Sequence, residues 1–234
     1  MKIGFLQLSD IHFKEDNNVF ITKRQEAFFK AAYSKLTHCK KVIIIITGDV
    51  SFSGKQSEYE IAKAFLFDLS TRLKTALSVL MSIDFVLVPG NHDCCFQVDG
   101  VRPLVINSVL GSDYAEDITI RNNCLSVQEN FWSFYSNLIG EQISPSVSHI
   151  REIPIYQDLS LVFHCYNTAF LSEINETPGR LLIPENDFLP GSKKHANDII
   201  ISLFHHNTGW LSPNTSRNHV CPVKVPDGLY KFNN

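Results

Sequence analysis

The chain has 234 residues, 44% of them hydrophobic and 11% aromatic, and a formal charge of -3 at neutral pH. That length and apolar content suit one α/β domain with a sizeable core and exclude a chain disordered by its composition. The weak net charge gives no general attraction to nucleic acid or an anionic membrane, although a local nucleic-acid site within an enzyme stays open.

Residues 3–8 read as a buried strand that ends in Ser9-Asp10-Ile11-His12, and the apolar run is too short for a signal peptide. Phe28, Phe29, Ala32 and Leu36 recur at helical spacing within 21–37. Residues 42–46 are apolar on both faces, as in a strand covered on each side, and lead to Thr47-Gly48-Asp49. Ser57 and Glu60 have the spacing of a capping box, opening a helix to about Leu77 with Ile61, Ala64, Phe65, Leu69 and Leu73 facing the core. A third strand, 84–88, stops at Pro89-Gly90 and delivers Asn91-His92-Asp93. Strand, helix, strand, helix, strand is the pattern of a parallel sheet.

Residues 94–150 interrupt this rhythm. Val127, Phe131, Phe134, Tyr135 and Leu138 mark a helix there, and the stretch is expected as a helical insertion that caps the site. Strand signals return at 152–157 and 160–166, and again at 199–204, which ends in His205-His206. No segment approaches the roughly 20 apolar residues of a membrane helix. The six cysteines lack Cys-x-x-Cys spacing and read as reduced thiols of a cytoplasmic protein. His38, His149 and His195 sit in polar stretches and are expected in solvent, while His164, within a strand, is expected as a core or face residue.

Four strand ends therefore carry the same kind of cargo: Asp10 with His12, Asp49, Asn91 with His92, and His205 with His206. Singly, each is what an ordinary surface turn carries, and the histidine pair could be one buried and one solvated ring. Jointly, carboxylate, amide and imidazole ligands at the same edge of a sheet suit a borderline or hard divalent metal such as manganese, iron or zinc. Asp10 and His12, two apart, point the same way on an extended segment. Asp49 follows a glycine that removes bulk, so its carboxylate can reach a crowded centre. A dinucleotide-binding reading fails for want of a Gly-x-Gly-x-x-Gly turn.

Asp10-Ile11-His12, Gly48-Asp49, Gly90-Asn91-His92-Asp93 and His205-His206 closely resemble, in order and spacing, the motifs of calcineurin-like metallophosphoesterases. The resemblance runs from residue 3 to about 211. It implies an α/β fold built as a four-layer αββα sandwich, with two mixed sheets between helices, over residues 1–217. It also implies two divalent metal ions: Asp10 and His12 on one, Asp49 bridging both, and Asn91 and His205 on the second. His92 is the implied catalytic residue, protonating the leaving oxygen or steadying the transition state. The implied reaction is hydrolysis of a phosphomonoester or phosphodiester by a hydroxide that the two metals generate, with Cys94 and Cys95 as bystanders.

Two departures from the family pattern stand out. The position three after Asp49, often an aspartate that orients the catalytic histidine, is Phe52, which leaves Asp93 as the candidate orienting carboxylate. A Gly-His-x-His turn, which supplies one ligand to each metal, is missing; Asn218-His219-Val220-Cys221 imitates it only 13 residues after His206. Residues 218–234 are expected as an irregular or altered tail of a truncated enzyme. The alternative function is a degenerate module that binds a ligand or partner with weak or no turnover.

Overall fold

The computed structural model describes residues 1–96, 101–111, 117–190 and 193–212. The expectations for residues 218–234, including His219 and Cys221, lie outside these described residues. Within them the chain is an α/β protein with two three-stranded sheets and five α-helices.

The first sheet holds β1 (Ile3–Leu8), β2 (Lys41–Thr47) and β3 (Ser82–Val88), all parallel and in that order. The central strand β2 explains the unbroken apolar run in the sequence. Val42, Ile44 and Ile46 pack beneath α1 (Val19–Leu36) and α2 (Gln56–Ala76), while Ile43 and Ile45 face the other way. There they meet Ile153, Leu161, Phe163, Cys165 and Leu203 of the second sheet. That sheet runs β4 (Ser148–Tyr156), β5 (Leu159–Tyr166), β6 (Ile199–Leu203), antiparallel across the first pair and parallel across the second.

Helix α2 keeps its expected phase at Ile61, Phe65, Leu69 and Leu73, which pack on the core, and departs from it at Ala64. Tyr59, Ala62, Leu66, Leu69 and Leu73 are its buried stripe, and Ala64 faces solvent. Tyr59 sets that phase, because its hydroxyl donates to the Asp93 carboxylate at 3.0 Å and pulls the first turn inward. The helix also starts differently. Glu58, not Glu60, folds back to accept from the backbone N–H of Ser53 and Lys55, and the Ser57 hydroxyl donates to Glu15 instead.

Within 94–150 the structure has three helices, α3 (Arg102–Gly111), α4 (Ile118–Ser126) and α5 (Glu129–Ile139). Phe131, Trp132, Phe134, Tyr135 and Leu138 of α5 join the core over the first sheet, so this part of the stretch is built into the domain. Gly140 ends α5 in a left-handed conformation, φ 72°. Helices α3 and α4 pack in a second cluster with Phe170, Leu171, Leu181 and Ile183. Buried Arg102 ties that cluster together by donating to the carbonyls of Cys124, Phe170 and Ser172. The described cysteines are all free thiols, and no described helix is long and apolar enough to cross a membrane.

His149 is not a solvated histidine. It sits on β4 with Trp132 and Tyr135 of α5 edge-on to its ring, and its Nε2 is buried without a hydrogen-bond partner. Its polar sequence neighbours misled because β4 alternates, sending this side chain inward. Burial, helped by the Arg151 charge, pushes the imidazole from 6.5 down to about 4. The unfolded chain takes up this proton near 6.5 and the folded chain only near 4, so the stability is present above that window and lost as pH falls through it. Acidification across the window is expected to remove about 3 kcal/mol. Urea melts of wild type and His149→Phe between these limits check it: the variant should lose most of the slope, and parallel slopes would refute the assignment.

Candidate metal centre

Because β1, β2 and β3 are parallel, their C-terminal ends share one edge of the sheet, and the loops that follow them meet there. The loops after β1 and β2 are joined backbone to backbone. Asp10 N–H donates to Gly48 O, His12 to Asp49 O and Phe13 to Val50 O, and Phe52 N–H returns to Phe13 O, at 2.9–3.2 Å. Along this seam Asp10, His12 and Asp49 hold positive φ angles of 53°, 54° and 55°. Left-handed backbone costs an L-residue about 1–2 kcal/mol. Three such residues in two joined loops mark strain kept where side chains must be aimed.

Two glycines make room. A Cβ on Gly48 would lie 2.4 Å from His205 Nδ1, and one on Gly90 would lie 2.2 Å from Asp49 Oδ1. Gly48 also has a φ of 89°, which only glycine adopts freely.

Asp49 is 3% exposed and stands between two imidazoles. Its Oδ2 lies 3.7 Å from His12 Nε2, and its Oδ1 lies 3.6 Å from His205 Nε2. Asn91 Oδ1 is 3.3 Å from the same His205 nitrogen. Candidate ligand atoms fall into two groups that share Asp49, one with His12 and His92 and the other with Asp10 and His205. All six residues singled out from the sequence converge at this edge.

The His205 ring shows why a cation fits. Its Nδ1–H donates to the Thr47 carbonyl at 2.7 Å, which aims Nε2 at Asp49 and Asn91. A backbone carbonyl on one ring nitrogen, with the other ring nitrogen turned to a carboxylate and an amide oxygen, is the arrangement of a metal-ligating histidine. The donor set of carboxylate, amide oxygen and imidazole suits a borderline or hard divalent ion.

His92 is oriented by backbone, not by a carboxylate. Its Nδ1–H donates to the carbonyl of Phe52 at 2.7 Å, and its N–H donates to Asp49 Oδ1 at 2.9 Å. The residue that displaced the usual aspartate thus contributes through its main chain, leaving His92 Nε2 free to act. Asp93, the expected orienting group, points into the protein instead. It is fully buried and accepts from the N–H groups of Gly90, Ser51 and Val50 and from the hydroxyls of Ser51 and Tyr59. Burial, with repulsion from Asp49, raises its carboxyl above the ordinary range, against the pull of those donors. Asp93 therefore welds the loops after β2 and β3 to helix α2.

His205 and His206 are both largely buried, which removes the possibility of one solvated ring. Thr168 Oγ1 accepts from His206 N–H, and its hydroxyl donates to His206 Nδ1, so the Nε2–H faces Glu176 Oε2 at 3.2 Å. Burial pushes the Glu176 carboxyl up, but the bond and charge of His206 outweigh it and hold the group below the usual range. Nothing in the sequence around Glu176 marked it, because the pairing spans 30 residues and a loop of no fixed pattern.

Comparison with known proteins agrees with the geometry. The chain matches the calcineurin-like phosphoesterase family over residues 3–230. It is 24% identical over 224 residues to an uncharacterized metallophosphoesterase-like protein, YydB, of Bacillus subtilis (strain 168), an alignment covering 90% of this chain and 44% of that protein. It is 25% identical over 93 residues to a probable cyclic nucleotide phosphodiesterase of Vesicomyosocius okutanii subsp. Calyptogena okutanii (strain HA), covering 40% of this chain and 34% of that one. The chain spans less than half the length of these curated relatives. With the family match running nearly end to end, and the Asp, Asn and His blocks gathered at one sheet edge, the chain belongs to the calcineurin-like phosphoesterase family.

Proposed function

We propose that this chain is a metal-dependent phosphoesterase domain, built on the four-layer αββα plan, that hydrolyses phosphomonoesters or phosphodiesters. The observation that carries the reading is one buried carboxylate, Asp49, set between the Nε2 atoms of two imidazoles. Asp10, His12, Asp49, Asn91 and His205 would hold two divalent cations of the manganese, iron or zinc type, with Asp49 shared. When bound, such cations polarise phosphoryl oxygens and acidify water.

The chain's own groups do the rest. Gly48 and Gly90 admit the ligands without backbone clash. The Phe52 carbonyl accepts from His92 Nδ1–H, so a proton that the ring gives up in the site comes from Nε2. That Nε2 proton is the one available to a departing alkoxide. Asp93 is spent on structure and takes no part in proton transfer.

The test is turnover of bis(4-nitrophenyl) phosphate by chelator-stripped protein reloaded with manganese. Activity that appears with metal and is lost again on chelation is expected. His92→Asn should slow an alkyl ester by about 10²-fold while affecting nitrophenyl esters much less, since a good leaving group needs no proton. The alternative reading is ligand binding without turnover. Metal binding with no hydrolysis of any ester, under any of the three metals, selects that reading.

A further inference from the structure

We infer that Lys14 and Phe52 form a recognition site beside the metal centre for a negative charge on the leaving group, so that preferred substrates carry an anionic group beyond the reacting phosphate. The inference rests on the phosphoesterase reading, which makes His92 face the leaving oxygen.

The location follows from the rings. Phe52 packs against His92 with centroids 5.5 Å apart, and against His12 at 6.1 Å, so its side chain borders the face of the site that His92 serves. It does so while 43% exposed, so part of the ring stays open to a ligand. The Lys14 ammonium lies 4.1 Å from the centre of that ring. An ammonium held on an aromatic face keeps its N–H donors free on the solvent side.

The position of Lys14 is fixed by more than the ring. The Asn18 amide accepts from Lys14 N–H at 3.0 Å and donates to Lys14 O at 2.7 Å, pinning the main chain on both sides. Lys14 follows Phe13 and Phe52 follows Ser51, the pair bridged across the seam of the two metal-site loops. One rigid backbone feature therefore presents the cation, the ring and the ligands Asp10, His12 and Asp49 together. A lysine so ordered in advance loses less freedom on binding an anion than a free surface lysine does.

The charge is also unclaimed. Among the described residues Lys14 has no ion pair with a carboxylate. The neighbouring Glu15 is taken by Lys55 and by the Ser57 hydroxyl, which hold its carboxyl below the ordinary range. Lys14 is thus a placed cation next to the proposed proton donor with no carboxylate partner among the described residues. A carboxylate or second phosphate on the leaving group supplies one; a neutral alcohol does not.

The experiment compares methyl 4-carboxyphenyl phosphate with methyl 4-carbamoylphenyl phosphate, leaving groups of like shape and different charge, on the manganese-loaded protein. Wild type is expected to favour the carboxylate by about three- to tenfold in kcat/KM, the range for an exposed but ordered charged contact. Lys14→Met should bring the ratio to about one, Lys14→Arg should keep it, and 1 M salt should shrink it in wild type. Calorimetric binding of 4-carboxybenzylphosphonate against its carbamoyl analogue gives the same ratio without turnover. Equal handling of both esters by wild type, or a ratio unmoved in Lys14→Met, overturns the inference and leaves the phosphoesterase reading standing. No hydrolysis of either ester removes that reading, and the inference falls with it.

Discussion

Asp49→Asn is expected to leave the protein folded and to reduce turnover by about three orders of magnitude. Asparagine keeps the volume of the side chain and tolerates left-handed backbone, so the φ of 55° at this position costs little more than in wild type. It can also still offer an oxygen to His92 N–H, the bond made by Asp49 Oδ1. What it removes is the one negative charge common to both candidate ligand groups. Several kcal/mol of charge stabilisation from a shared metal pair corresponds to a loss of about 10³-fold. Manganese calorimetry and kcat/KM on bis(4-nitrophenyl) phosphate check it together: weaker binding and lost rate are expected, with a thermal midpoint near that of wild type. Undiminished turnover would sink the assignment of Asp49 as the shared ligand. Asp49→Ala is the poorer variant, because it adds backbone strain to the loss of charge.

Asp93 produces the second large effect, and it is one of stability. Asp93→Ala removes the acceptor from three backbone N–H groups and two hydroxyls at once, in a site without solvent. A single buried donor left unpaired costs about 1–3 kcal/mol, against a total stability of about 5–15 kcal/mol for a domain. This variant is expected not to accumulate as folded protein. Asp93→Asn keeps the shape but turns an N–H donor toward donors on the backbone, and should cost about 3–5 kcal/mol, the range for breaking a buried charged network. In a chain of this size that lowers the thermal midpoint by roughly 10 °C. The drop should be as large in metal-free protein as in metal-loaded protein, because Asp93 faces α2 and the loop backbones. A midpoint within about 2 °C of wild type in the metal-free state would contradict the role.

The local strength of each signal decided how much of this could be read in advance. The strand β2 was legible because five consecutive apolar β-formers bounded by Lys41 and Gly48 fit little else. The ends of α1 and α2 came within a residue or two for the same reason, the apolar stripe being several turns long. The phase of α2 failed at Ala64, since alanine is small enough to sit on either face and the deciding contact, Tyr59 to Asp93, joins residues 34 apart. The capping glutamate was misplaced by two positions because Ser57 and Glu60 satisfied the spacing while Glu58 had the geometry. His149 failed because polar neighbours in an alternating strand say nothing about the residue between them.

The candidate site divides along the same line. Which residues carry it was written in the sequence, since each block follows a strand and each strand end is a local event: Asp10 and His12, Asp49, Asn91 and His92, His205. How they work together was not. The left-handed seam between the loops, the carboxylate of Asp49 poised between two rings, the Phe52 carbonyl that replaces an absent aspartate, and the inward turn of Asp93 all depend on groups more than 30 residues apart. The sequence by itself determined the family, the strand ends and which polar residues those ends carry, because short-range spacing encodes them. Only the tertiary structure decided orientation and protonation, because hydrogen-bond direction and burial are set by whichever distant backbone the fold brings alongside.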